Sequence, residues 1–229
     1  MEITPIAVIH TDLPEKFGIP RQAGLAPDLK GRIVFQPPFR DPSAVRGLDG
    51  YDYLWLVWGF DGKAVWSPTV RPPRLGGQKR MGVFATRSPN RPNRIGLSSV
   101  RILSLEEHTP VGPVITVGGA DLRDGTLIYD IKPYIPFADA HPGARGGFTD
   151  EQQWHTVRVD FPRELLERIE EDRRAGAVQV LEQDPRAAYE KEPGRIYGLR
   201  YGTWDIRFLA EQGVLRVVDV VPAGAGKCK

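Results

Sequence analysis

Residues 81–99 read MGVFATRSPNRPNRIGLSS. The first six residues, MGVFAT, are apolar and carry the signature of a strand. Residues 87–99, RSPNRPNRIGLSS, hold three arginines, two prolines and two asparagines, with no acid. Beyond them VRILSL has the composition of a second strand. Pro89 and Pro92 fix φ and restrict Ser88 and Arg91 before them, so the connector is stiff. A strand, a stiff cationic connector and another strand, with no room for a helix between, set the pattern for the surrounding chain.

Outward from this stretch the same grammar repeats. ITPIAVIH, GRIVFQ, YDYLWLVWGF, SVRILSL, PVITVGG and LIYDIKPY read as strands, separated by turn clusters such as QPPFRDP and LRDGT. Many short strands with Gly and Pro turns indicate a mainly β fold, a barrel or a sandwich. Tyr51, Tyr53, Trp55 and Trp58 fall on an alternating strand pattern, which assigns them to the core ahead of a base-stacking role. No helix longer than two turns is expected before residue 150.

The stretch FADAHPGARGGFTDEQ breaks the pattern and reads as a linker. After it, FPRELLERIEED places Pro162 at the start of a helix, and QDPRAAYEKE offers Asp184 as N-cap and Pro185 at N1 of another. RIYGLRY, WDIRFLA and VLRVVDVV then read as three strands. The expected organisation is a β-barrel over 1–140, a linker over 141–155, a small α+β domain over 156–222 and a disordered tail over 223–229.

The 229 residues carry a net charge of only +2, unevenly distributed. Between Gly62 and Leu105 there is no Asp or Glu, while Lys63, Arg71, Arg74, Lys79, Arg80, Arg87, Arg91, Arg94 and Arg101 are all basic. Such a block indicates an anionic partner, or else an arginine face paired with acids from elsewhere in the fold. The single cysteine, Cys228, gives no disulfide framework. The four histidines, His10, His108, His141 and His155, lack metal-ligand spacing, so no metal is expected. There is no nucleophile elbow, phosphate loop or dinucleotide fingerprint. No apolar run is long enough to span a bilayer, and no signal peptide is apparent, so a cytoplasmic protein is expected.

KFGIPRQAGLAPDLKGRI, VRGLDGYDYLWLVWGF, PTVRPPRLGG, MGVFATRSPNRPNRIGLS and DGTLIYDIKPYIPFAD resemble the TsaA-like (TrmO) family. DPRAAYEKEPGRIYGLRYGTWDIRF resembles that family's C-terminal extension. The resemblance implies a single β-barrel that binds S-adenosylmethionine without a Rossmann fingerprint. It implies a homodimer that methylates N6 of the threonylcarbamoyl-modified adenosine beside the tRNA anticodon. Carried over where the motifs match, donor binding falls to Pro20, Arg21 and Gln22, to Arg87 and Leu97, and to Asp121, Leu122, Arg123 and Asp124; Asp61 and Gly62 occupy a further donor-binding place of the family with different residues. The chain departs from the family pattern at Asp61–Gly62, where a His and a polar residue are usual, and at Asn90 and Arg94.

The donor carries two positive centres and one carboxylate. A divided site follows: Asp121 or Asp124 near the cationic end, Arg87 or Arg21 near the carboxylate, Leu97 against the adenine. Asp121 and Asp124 are also the candidates for a proton acceptor, between which the sequence does not choose. Arg71, Arg74, Arg91, Asn93 and Arg94 are the candidates for contact with tRNA. The rival readings are a non-catalytic RNA-binding protein of the same fold, and a methyltransferase for another RNA or a small metabolite.

Overall fold

The computed structural model describes residues 2–62, 65–72, 79–150, 155–186, 192 and 194–224. Six strands close into an antiparallel barrel: β1 (Ala7–Thr11), β2 (Lys30–Phe35), β3 (Tyr53–Gly59), β6 (Ile95–Glu106), β7 (Val114–Gly118) and β8 (Thr126–Pro133), in the order β1-β2-β7-β6-β3-β8. Closure pairs β8 with both β1 and β3 and so leaves the barrel no open edge. Alternate residues fill the interior: Ala7 and Ile9, Ile33 and Phe35, Leu54, Leu56 and Trp58, Ile115 and Val117. Each large aliphatic side chain buried this way contributes about 1.5–3 kcal/mol. Of the two alternatives, barrel and sandwich, the barrel is the fold adopted.

MGVFAT is not a strand along its length. Only Met81–Gly82 (β5) pairs, with Thr69–Val70 (β4), and Val83–Ala85 then winds into a 3-10 turn. In that turn Val83 is buried and Phe84 is 74% exposed. The strand expected from residue 99 begins at Ile95, so IGLSS belongs to β6. The expectation for the aromatic set is corrected too. Trp58 is core, but Tyr51 and Tyr53 are exposed and Trp55 points outward, where its indole donates to Asp139 at 2.9 Å. Trp55 and Trp58 are three residues apart, and a period of two puts them on opposite faces.

After β8 comes the one-turn α1 (Pro136–Asp139); the second unit then contains β9 (Arg158–Asp160), the one-turn α2 (Arg163–Leu166), α3 (Glu171–Glu182), β10 (Tyr197–Tyr201), β11 (Trp204–Glu211) and β12 (Val214–Pro222). The sheet order is β10-β11-β12-β9, with β9 parallel to β12. Pro162 caps α2, which stops at Leu166 after four residues. The main helix, α3, follows it. Asp184 has φ +48, outside the extended region of an N-cap, although its carboxylate accepts the Arg186 N–H at 3.3 Å. The rest of the helix expected there, from residue 187 to 190, lies outside the described residues, as do Trp154 and tail residues 225–229. The sheet packs its Leu199, Tyr201, Ile206 and Phe208 against Ala177, Val180 and Leu181 of α3. Leu13, Ala26 and Leu29, from the segment between β1 and β2, belong to the same core. Among the described residues no helix is long and apolar enough to cross a membrane.

Candidate functional site

The site grows from the end of β3. Trp58 is opposite Gly96 on β6, and a Cβ at Gly96 would lie 2.2–2.6 Å from the indole ring. Glycine therefore lets the indole lie flat across the neighbouring strand. The Trp58 indole donates to Ser98 Oγ at 2.9 Å, and the Ser98 hydroxyl donates to Asp121 Oδ1 at 2.6 Å. Ser98 is buried at an inward strand position, and this pair of bonds satisfies it. Phe60 stacks obliquely on Trp58 with 4.3 Å between centroids, held by its N–H donating to the Arg94 carbonyl.

Two adjoining cavities open here, of about 450 and 460 Å³. Both fall in the usual range for small-molecule sites, roughly 300–1,000 Å³. Ile19, Trp58, Phe60 and Asp121 line both. Asp61, Gly62, Leu122, Arg123 and Arg94 face the first. Pro20, Arg21, Gln22, Arg87, Arg91 and Leu97 face the second. All of the donor-binding candidates except Asp124 are thus brought to one mouth, from four separate segments.

Asp124 does not line either cavity. Its carboxylate accepts the Thr11 N–H at 3.1 Å and lies 3.2 Å from His10 Nδ1, on the β1 side. Asn93 and Arg71 are exposed and lie outside both linings, and Arg74 is beyond the described residues. Arg91 folds back, donating to the carbonyls of Thr86 and Ser88 at 3.1 and 3.3 Å. Sequence reasoning missed Lys16, Ile19, Trp58, Phe60, Ser98 and Thr126. Ser98 left one trace, a hydroxyl at an inward position of a strand.

Desolvation raises the Asp121 carboxyl above its ordinary value, opposed by the Ser98 bond and by Arg87. Asp61 pairs with Arg123, and the Arg94 guanidinium donates to the Asp61 carbonyl. Two of the positions that depart from the family pattern, Asp61 and Arg94, therefore touch. The Nε atoms of Arg94 and Arg123 are buried without a hydrogen-bond partner among the described residues. Arg87 donates to the Gln22 amide oxygen. The mouth thus offers an aromatic floor, one desolvated carboxylate and several guanidiniums. This donor set suits a ligand with a flat ring and charges of both signs. No group of His, Cys, Asp and Glu among the described residues is arranged to hold a metal.

The molecule is thus a small antiparallel β-barrel with cavities of ligand size at its mouth, distinct from the parallel doubly wound folds. The particular family follows from two models that together span nearly the whole chain. The tRNA-methyltransferase O N-terminal domain matches residues 8–140 and the TrmO C-terminal domain matches 155–223. The chain belongs to the TrmO family. It is 40% identical over 228 residues to the putative S-adenosylmethionine-dependent methyltransferase RcsF of Pseudomonas aeruginosa, covering 95% of this chain and 96% of the relative. It is 37% identical over 227 residues to the tRNA (adenine(37)-N6)-methyltransferase of Escherichia coli, covering 95% and 96%. The crystal structure of TrmO from Pseudomonas aeruginosa superposes with a TM-score of 0.79 at 34% identity, covering 96% of this chain and 98% of that one.

Proposed function

We propose that the protein is an S-adenosylmethionine-dependent methyltransferase acting on N6 of adenosine 37 in the tRNA anticodon loop, in its threonylcarbamoyl-modified form. The name of the Escherichia coli relative supports the base and the position. That of the Pseudomonas relative supports the donor. The observation that carries the reading is the placement of Asp121 on the wall common to both cavities. One carboxylate then serves donor and acceptor at once.

Bound at this mouth, S-adenosylmethionine supplies a methyl group activated by its sulfonium. The chain contributes placement and proton control. Trp58, Phe60 and Leu97 offer apolar faces for purine rings, and Arg21 and Arg87 offer guanidiniums for a carboxylate. As the new N–CH3 bond forms and the S–CH3 bond breaks, N6 loses its proton. Asp121 accepts it and returns it to solvent. Ser98 keeps the carboxylate aimed into the mouth. Holding both reactants in line and excluding water accounts for most of the expected acceleration. The target nucleotide leaves the loop stack to reach the mouth, as single-stranded RNA permits.

The cationic block meets the tRNA backbone, with exposed Arg71 and Arg80 facing phosphate and Arg91 stiffening the loop that presents its neighbours. A homodimer is part of the same reading. Val65, Phe84 and Phe137 are 83%, 74% and 93% exposed, apolar surface of the kind a second copy covers.

Calorimetric titration of S-adenosylmethionine into the protein without RNA tests the donor assignment. Saturable binding that Arg87→Ala weakens about tenfold is expected. No binding, with tRNA still retained, favours the non-catalytic RNA-binding reading instead.

A further inference from the structure

The wall of both cavities nearest the second unit has no regular secondary structure. Lys16 and Ile19 line the first cavity, and Ile19, Pro20, Arg21 and Gln22 line the second. All five lie in the connection between β1 and β2. Among the described residues its stretch 14–23 makes one backbone–backbone bond, the Ile19 N–H to the Lys16 carbonyl at 3.4 Å; the barrel side holds only the flanks, with the Asp124 N–H donating to the Leu13 carbonyl at 2.9 Å, the Gly24 N–H to the Gly119 carbonyl at 2.8 Å and the Gly119 N–H to the Leu29 carbonyl at 2.9 Å. Ordering a segment of this kind costs conformational entropy at every residue. Something else must fix its shape.

The second unit does so from behind. Leu13, Ala26 and Leu29 are fully buried members of its core, and Phe17 and Ile19 pack against that core. Gly18, at φ +94, sits directly on β10: a Cβ there would lie 2.2 Å from Leu199 Cδ1. Polar contacts close both ends. At the start, the Gly202 N–H donates to the Asp12 carbonyl at 2.7 Å, and Arg173 lies 3.5 Å from the Asp12 carboxylate. At the finish, the Gln179 amide accepts the Asp28 N–H at 2.8 Å and donates to the Asp28 carboxylate at 2.7 Å, while Gln183 donates to the Leu25 carbonyl at 3.1 Å. Leu13, Phe17, Ala26 and Leu29 thus face the second unit, Ile19 touches both that unit's core and the cavities, Ala23 packs on the barrel core, and Lys16, Pro20, Arg21 and Gln22 face the cavities.

We infer that the C-terminal unit is a positioning clamp for residues 12–29, and that Leu199 and Gln179 act through this segment to preorganise the cavity wall that binds the donor. Preorganisation raises affinity by removing an ordering cost at binding. The role in donor affinity rests on the methyltransferase reading; the clamp itself does not.

The test compares Leu199→Ala with Leu215→Ala in the full-length protein. Both remove a buried leucine from the same core, but Leu215 is on β12, two strands from β10. Gln179→Ala is the third variant, since it removes only contacts to Asp28 at an exposed site and tolerates folding if Leu199→Ala does not. The readouts are S-adenosylmethionine affinity by calorimetry and hydrogen exchange of the amides in 15–22, referenced to those of β3. Leu199→Ala is expected to weaken the donor at least tenfold and to speed local exchange by a similar factor. Gln179→Ala is expected to do both about threefold, and Leu215→Ala to leave both within twofold. Equal effects of the two leucine variants, or unchanged exchange in Gln179→Ala, overturns the clamp. Absence of donor binding by the parent protein overturns the proposed function, and the exchange measurements still decide the clamp.

Discussion

The Ser98 hydroxyl donates to the Asp121 carboxylate at 2.6 Å, linking β6 to the turn before β8. Ser98 in turn accepts from Trp58, so the floor of the mouth and its carboxylate are set by one chain of bonds. The two candidate acids of that turn differ by this environment. Asp121 is half-buried on the cavity wall, and Asp124 is engaged with Thr11 and His10 on the other side.

Asp121→Asn is therefore expected to lower kcat by 10²–10⁴-fold, the usual worth of a positioned proton acceptor. Donor affinity falls less. Asp124→Asn is expected to stay within about threefold of the parent in kcat. Single-turnover methyl transfer to tRNA measures both; comparable losses in the two variants contradict the choice of Asp121.

The raised pKa of Asp121 has consequences for pH. As proton acceptor it must be ionised, so kcat is expected to fall on the acid side with a limb above the ordinary carboxylate range. Ser98→Ala removes a bond that lowers this pKa, and shifts the limb to higher pH. The stability effect has the opposite sense. The folded state prefers the protonated acid, so stability from this group is present below the ordinary carboxylate value and is lost as pH rises through the raised one. Asp121→Asn is thus expected to stabilise the protein more at pH 8 than at pH 4, which chemical denaturation measures.

Gly96→Ala places a methyl group against the Trp58 indole, at 2.2–2.6 Å before relaxation. Overpacking of this kind costs about 1–3 kcal/mol. Because the indole is the floor of both cavities, the variant is expected to lose donor binding out of proportion to its drop in Tm. A Tm within 1 °C of the parent, by scanning calorimetry, contradicts the packing.

The arginines of the cationic block divide by what they touch. Arg71→Ala is expected to reduce the slope of log affinity for tRNA against log salt by about 0.7–0.9, one phosphate contact. Arg91→Ala acts on its own loop through the Thr86 and Ser88 carbonyls, and is expected to weaken donor binding as well. Filter binding across a salt series, beside donor calorimetry, separates the two.

The barrel strands were legible because period-two patterning is a local signal, and ITPIAVIH or LIYDIKPY carry it without help from the rest of the chain. α3 was not. Its buried residues, Gly176, Ala177, Val180 and Leu181, are few and mostly small, and Arg173, Arg174 and Gln179 among them dilute the apolar face. MGVFAT reads as a strand because composition does not show the 3-10 turn over Val83–Ala85, which the Thr86 N–H closes by donating to the Val83 carbonyl at 3.1 Å. The resemblance put most candidate residues at the mouth. The orientation of Asp121 depends on Ser98, 23 residues away, that of Asp124 on Thr11, 113 residues away, and the reach of Leu13 to Leu29 into the second unit's core on a different domain; composition and periodicity show none of these pairings.

The central claim is methyl transfer to a modified adenosine, and nucleoside mass spectrometry tests it most directly. The protein and S-adenosylmethionine are incubated with two tRNA preparations, one carrying the threonylcarbamoyl group on adenosine 37 and one lacking it. A gain of one methyl on the modified adenosine, absent from the unmodified tRNA and lost with Asp121→Asn, is the expected result. No methylation of either tRNA, or equal methylation of both, contradicts the account.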